Sequence, residues 1–350
     1  VKTNHFRRFV IVCGNHISSA QLIQFSISVH RIQIIKKMGR SSRFAFFVTE
    51  AGRQWMFYGS TTLAVGLFAG HYMPHTVGIS YFKEFVQAYK HGQERELSEK
   101  IQKRFERAVQ LVDLSAFEKK FVKPFAVFGF DVFNAGSMKS RFGALVGVPT
   151  NYEYDSVADI EKQDVIIRGN KIDWNSEGGK LLEDCLVVSE DEQVFGMARE
   201  ILTLNSHKRL IQSMIPTVSW VFTYSVASLV NQRCNFYVRP FSLRCMLYAI
   251  CGFLGYGIYS FSTDMSEIYF DTSVDKELAK LGPEVVDAGV RFYDKILKKN
   301  VAIRKLTGDE YYTAKGNVNY MIRQKAAPLT VRKDFFVTGY KEFVGNAQKS

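Results

Sequence analysis

The 350-residue chain is predicted to be an α+β membrane protein, with three transmembrane helices carrying an α+β exterior domain formed from two large extramembrane segments. Three observations predict this. Three runs are long, uncharged and apolar; their short flanks are basic on one side and acidic on the other; and between the first two runs the apolar period shifts from helical to strand-like. The mean hydropathy of -0.08 averages over this unevenness and hides it.

The net charge is +12, yet the first 49 residues hold eight Lys/Arg and no acid. A nucleic-acid binder carries its basic excess as a patch on a folded module. Here the excess sits in a leader-like end, which argues against nucleic acid as a partner. Residues 1–37 show no convincing helix face, and their Arg and Ser content without acids is that of a mitochondrial presequence. The alternative is translation from Met38, since Val1 rather than Met opens the chain. On either reading 1–37 is set apart from the fold, and 38–53 is a basic N-terminal segment. The five cysteines, Cys13, Cys185, Cys234, Cys245 and Cys251, form no C-x-x-C pair and imply neither a zinc site nor a disulfide framework.

The first span is 54–73, the apolar part of 29 residues between Arg53 and Lys83 that lack Asp, Glu, Lys and Arg. The second, 210–232, is rich in Ser and Thr and interrupted by Pro216, which neighbouring helices can accommodate. The third, 245–263, ends at Asp264. Arg40, Arg43 and Arg53 precede the first span; the short loop 233–244 holds Arg233, Arg239 and Arg244 and no acid; Asp264, Glu267 and Asp271 follow the third. The positive-inside rule therefore places the N-terminus and the short loop inside, and segments 74–209 and 264–350 together outside.

Within 74–209, apolar residues from Tyr81 to Leu114 recur at three and four, which predicts amphipathic helix with a break near His91-Gly92. Glu96–Lys100 and Glu99–Lys103 are i to i+4 pairs on its solvated face. Phe125 to Phe133 and Ala144 to Pro149 are aromatic or β-branched and read as strands. In VIIRGNKIDW, a turn at Gly169-Asn170 sets Ile167 opposite Ile172 and Val165 opposite Trp174. Asn175 or Ser176 caps a helix through Leu182, and Ser189 with Glu192 forms a capping box. In the mainly helical 264–350, one helix runs from Asp264 to Leu281, breaks at Gly282-Pro283, and is followed by a second from Glu284 to Lys299 with Asn300 at its end.

The residues point to no catalytic chemistry. H-E-x-x-H, G-x-S-x-G and H-R-D patterns are absent, and Gly178-Gly179-Lys180 lacks the earlier glycine of a phosphate loop. No catalytic, cofactor or metal residue is therefore assigned. His71, Met73 and His75 offer soft ligands suited to copper, but Pro74 disrupts their helical spacing; they are read as marking the exit from the bilayer. Thr62, Gly66 and Gly70 form a small-xxx-small row that admits a close helix, either the chain's own second or third span or a partner's. The spans carry no Asp, Glu, Lys or Arg, which argues against an ion pathway.

KPFAVFGF, GALVGVP, VIIRGNKIDWNSEGGKLL, SEDEQVFGMAREI and GVRFYDKILKKNVAIRKLTG, followed by YYTAKGNV, resemble the transmembrane protein 177 family in order and placement, over roughly Gly52 to Lys333. Family members begin near the position of Met38. The resemblance implies a multi-pass protein of the mitochondrial inner membrane, N-terminus in the matrix and C-terminus in the intermembrane space. It also implies a role in cytochrome c oxidase assembly, with subunit II, its membrane chaperone and copper-delivery factors as partners. Membrane lipid is the remaining partner expected. The competing readings are a membrane-anchored enzyme, marked by a pocket of perturbed carboxylates or histidines, and a small-solute carrier, marked by a polar cavity across the spans.

Overall fold

The computed structural model describes residues 46–90 and 92–347. The segment 1–37, residues 38–45 of the basic segment, His91 and 348–350 lie outside the described residues. The chain divides into two units, Val1–Thr62 and Leu63–Ser350. In the first, a short 3-10 turn, Phe46–Val48, leads into helix α1, Glu50–Tyr72, which continues into the second unit. Thr49 starts it by accepting from the Gly52 amide at 3.1 Å.

The second unit continues with α2 (Ile79–Val86), a two-stranded ribbon of β1 (Tyr89–Lys90) and β2 (Gln93–Glu94), α3 (Glu99–Leu111) and α4 (Ala116–Phe121). Strands β3 (Val122–Val127), β4 (Phe133–Gly136) and β5 (Ala144–Pro149) form a sheet in the order β3-β5-β4, β5 running parallel to β3 and antiparallel to β4. The stretch expected as one strand, Phe125 to Phe133, is therefore the end of one strand and the start of another. The chain must leave the line of β3 so that β5 can insert between them. The predicted amphipathic helix is likewise interrupted by more than a break, since the β1–β2 ribbon separates α2 from α3. Glu99 pairs with Lys103 at 2.7 Å, but Lys100 turns to Asp155 at 2.7 Å.

Strands β6 (Ile166–Ile167) and β7 (Asn170–Lys171) form the expected hairpin with a corrected turn. Ile167 pairs with Asn170, so Arg168-Gly169 occupies the loop, at φ 52° and 79°. A type I′ turn needs positive φ at both central residues and favours glycine second, which Gly169-Asn170 does not supply. Sliding the turn by one residue moves each cross-strand partner by two. The inward face is thereby kept, and Val165, Ile167, Ile172 and Trp174 share one small core with Leu182 and Leu186.

Helix α5 (Glu177–Leu186) is capped by Ser176, and α6 (Glu190–Leu204) opens on the predicted Ser189–Glu192 capping box. Two long helices follow, α7 (Lys208–Arg233) and α8 (Phe241–Ala279), then α9 (Pro283–Thr307) and α10 (Leu329–Ala347). Two predicted ends are corrected here. Helix α8 does not begin afresh at Asp264; its 39 residues, about 58 Å at 1.5 Å per residue, continue unbroken from the apolar run 245–263 to Ala279. Helix α9 passes through Asn300, whose side chain is buried and donates to the Gly316 carbonyl at 2.8 Å, and stops at Gly308.

The main core unites the two exterior segments. Ile101, Phe105, Val146, Val148 and Ile201 from the first meet Val274, Leu278, Val286 and Phe336 from the second. Phe195 lies at its centre, 5.3 Å from the rings of both Phe292 and Phe336. Beside it, the Asp275 carboxylate accepts from Tyr293 at 2.8 Å and from Arg332 at 2.6 and 2.8 Å, joining α8, α9 and α10.

Among the described residues two helices, not three, are long and apolar enough to cross a membrane: α7 and α8. Only 17% of the apolar window of each is buried within the protein, whereas a soluble core helix is mostly covered. Helix α1 is of spanning length, but Gln54, Ser60, Thr61, Thr62 and His71 dilute its hydropathy.

Candidate functional site

Helices α7 and α8 form an antiparallel pair in close register. Asn231 donates to the Tyr248 hydroxyl at 2.8 Å near the short loop, and Gln212 to Glu267 at 2.5 Å near the other end. Between them a Cβ on Gly255 would stand 1.9 Å from Thr223 Oγ1, so the backbones meet where glycine allows it. Of the three arginines in the connecting loop, Arg244 is folded under, its guanidinium 5.2 Å from the Phe241 ring and 5.7 Å from that of Tyr237.

The predicted row falls on α1. Thr62 is exposed at the end of the first unit. In the second unit Gly66 and Gly70 are exposed, and nothing lies within 4 Å of where a Cβ would stand on either. Among the described residues, α7 and α8 do not fill this face. They meet α1 through Ala64, which is 7% exposed and whose carbonyl accepts from Thr217 of α7 at 3.3 Å.

The residues after α1 do not converge. Met73 is exposed, while His75 turns toward the sheet, accepting weakly from the Gly136 amide at 3.4 Å and meeting the Phe82 ring edge-on at 5.5 Å. Burial, and then the positive charges of Arg209 and His71, push His75 down to about 4, so it is neutral at physiological pH. Among the described residues no three His, Cys, Asp or Glu side chains gather as metal ligands.

Among the described residues, two cavities flank the core built from the segments on either side of the α7–α8 pair. The smaller, about 20 Å³, is lined by Asp131, Tyr152, Cys185, Arg199 and Lys299, and has room for about one water. Burial pushes the Cys185 thiol up to about 11, which keeps it protonated and a poor nucleophile. The larger is an open groove of about 570 Å³ among α2, β2, α3 and β3, lined by Lys83, Glu94, Arg95 and Glu106 around Phe105 and Phe125. Gln87, 4% exposed, presents to it a carbonyl oxygen without a partner. Nothing in the sequence marked this groove, because it depends on Gln87 bridging to Val127, 40 residues away in the chain.

Two antiparallel apolar helices joined by a basic loop, with an exterior built from the segments on either side of them, match the order of the motifs in the sequence. The sequence profile of transmembrane protein 177 covers residues 92–334, most of the exterior and both long helices. The chain belongs to the transmembrane protein 177 family. It is 30% identical to transmembrane protein 177 of Rattus norvegicus, over 77% of this chain and 88% of that protein. It is 31% identical to that of Xenopus laevis over 79% and 92%, and 28% identical to that of Homo sapiens over 83% and 93%. No solved structure matches the chain. In this member of the transmembrane protein 177 family, then, the open face of α1 and the polar groove are the two surfaces whose makeup fits a binding role.

Proposed function

We propose that the chain is a non-enzymatic assembly factor of the mitochondrial inner membrane that stabilises new cytochrome c oxidase subunit II alongside its membrane chaperone and copper-delivery factors. Family membership supports the setting. The observation that carries the mode of action is the open backbone at Gly66 and Gly70. Lipid tails are as apolar as leucine, so helices in a bilayer associate through close packing, and glycine offers the closest approach. In this reading α1 is a third span, held to α7 at Ala64 on one face and presenting the glycines to the client on another. Its N-terminal side lies in the matrix with Arg233, Arg239 and Arg244, and both exterior segments lie in the intermembrane space.

Replacing Gly66 and Gly70 together with Leu tests this. Nothing within 4 Å opposes the added side chains, and leucine favours the bilayer. The variant is expected to insert and accumulate normally while recovering several-fold less subunit II from mild detergent. Recovery at the normal level from an abundant, inserted variant would show that this face does not hold the client.

A further inference from the structure

The loop between α9 and α10 carries the most exposed large apolar residues of the exterior. Met321 is 97% and Ile322 92% exposed, with none of the described residues over them. Hydrogen bonds before them and an ion pair after them tie the loop to the rest of the fold. Before them, Asn319 bonds the Tyr311 carbonyl through its amide at 2.8 Å and the Glu310 carbonyl through its side chain at 3.0 Å. After them, Arg323 pairs with Asp264 at 3.5 Å, and Gln324 donates to the Ala326 carbonyl at 2.7 Å. The loop is thus held with its two bare apolar side chains turned out.

The Arg323–Asp264 pair sets the depth of this loop along α8. Lys208, the first residue of α7, lies 2.6 Å from Glu267 and 3.9 Å from Asp271, which marks the charged layer where both helices enter the exterior. Asp264 is three residues before Glu267, about 4.5 Å further toward the apolar run. It is the last charge met before the uncharged stretch 245–263 begins. Arg323 therefore reaches the turn of α8 that borders the apolar run, with the exposed Met321 and Ile322 just before it in the chain. Lys325, exposed and 6.0 Å from the Tyr320 ring, adds a cation and an aromatic ring of the kinds that settle among headgroups.

We propose that the loop Asn319–Lys325 is a membrane-seated prong, with Met321 and Ile322 inserted at the boundary between headgroups and acyl chains beside the α7–α8 pair. The occupant of this apolar tip is lipid. It rests on the reading of α7 and α8 as spanning helices, and it gives the exterior a second footing that fixes its tilt on the bilayer. Buried in the interface, the two side chains leave water without needing a protein partner.

The test uses the full chain in phosphatidylcholine–cardiolipin vesicles, with native cysteines replaced by alanine and a nitroxide on a single cysteine at Ile322→Cys. Its accessibility to oxygen and to a water-soluble nickel chelate is compared with labels at Phe253→Cys, exposed midway along the apolar run of α8, and at Lys103→Cys, exposed on α3. The Ile322 label is expected to show an oxygen-to-nickel ratio several-fold above that of Lys103 and below that of Phe253. A ratio equal to that of Lys103 overturns the prong, as does a label shielded from both reagents, which would mean that protein covers it. If Phe253 itself reads as aqueous, the spanning reading fails first and the prong with it. A diazirine side chain at position 322 in the chain with its native cysteines checks the result independently; adducts to lipid support the prong, and adducts to protein or water alone overturn it.

Discussion

The α7–α8 pair and helix α1 are both apolar and of spanning length, yet the molecule treats them differently. The pair is fixed along its whole length, from Asn231 and Tyr248 through Gly255 and Thr223 to Gln212 and Glu267. Helix α8 then runs on into the exterior core, where Phe270, Val274 and Leu278 are buried and Asp275 is tied to Tyr293 and Arg332. In the second unit α1 is tied to α7 by the Thr217 bond to the Ala64 carbonyl and carries exposed glycines beyond it. The first region specifies a shape, and the second offers a surface. Exposed glycines leave a face free for another helix, which is why the proposed function places the client on α1 rather than on the pair.

The largest effect is expected from breaking the pair. Alanine at Gly255 puts a methyl group 1.9 Å from Thr223 Oγ1, with the Thr223 Cβ and Cγ2 at 3.0 and 3.1 Å. Rotating one side chain cannot clear all three atoms, so the helices must part. The expected cost is about 1–3 kcal/mol, read as a lower unfolding midpoint in detergent. Adding Thr223→Ala should restore most of it. A Gly255→Ala variant as stable as the parent would mean that the two helices are less closely set than described.

A smaller, pH-dependent effect belongs to the junction just after α1. His75 is held near 4 when folded, against 6.5 for the free side chain. The unfolded chain therefore takes up a proton first as pH falls, so the contribution of neutral His75 to stability is complete above 6.5 and is lost on the way down to about 4. His75→Gln keeps an acceptor for the Gly136 amide and removes the titration. The fall in unfolding midpoint between pH 7.5 and 5.5 should be shallower in the variant than in the parent. Equal slopes would show that His75 titrates alike in the folded and unfolded chain, so that burial against the sheet does not hold it down.

Much of this architecture was legible in the sequence, because its signals are local. Ser189 and Glu192 are three residues apart, the α3 face repeats within one helix, and the runs of α7 and α8 need no partner to be seen. What was hidden depends on residues far apart in the chain. Asp264, Glu267 and Asp271 look like the end of a helix because charges end a span. Their partners Arg323, Lys208 and Arg332 arrive from elsewhere and let α8 continue through them. The single strand expected at Phe125 to Phe133 had to split because β5 enters between its halves, which an alternation of aromatic residues cannot announce. The glycine row was visible as a pattern, but whether its face was filled required the neighbouring helices, and α7 meets Ala64 instead.

The smallest expected effect is the most direct measure of how separate α1 is. Thr217→Val preserves the shape of the side chain and removes only its hydrogen bond to the Ala64 carbonyl, a 3.3 Å contact at the long end of the range. Interhelical hydrogen bonds in membranes average about 0.6 kcal/mol, and the carbonyl left behind still bonds within its own helix. The midpoint should therefore move far less than in Gly255→Ala. The informative quantity is the ratio of the two shifts measured in the same detergent. A Thr217→Val loss as large as that of Gly255→Ala would mean that α1 is held as firmly as α7 and α8 hold each other. In that case Gly66 and Gly70 would sit on a locked element of the fold, and the contrast between shape and surface would no longer hold.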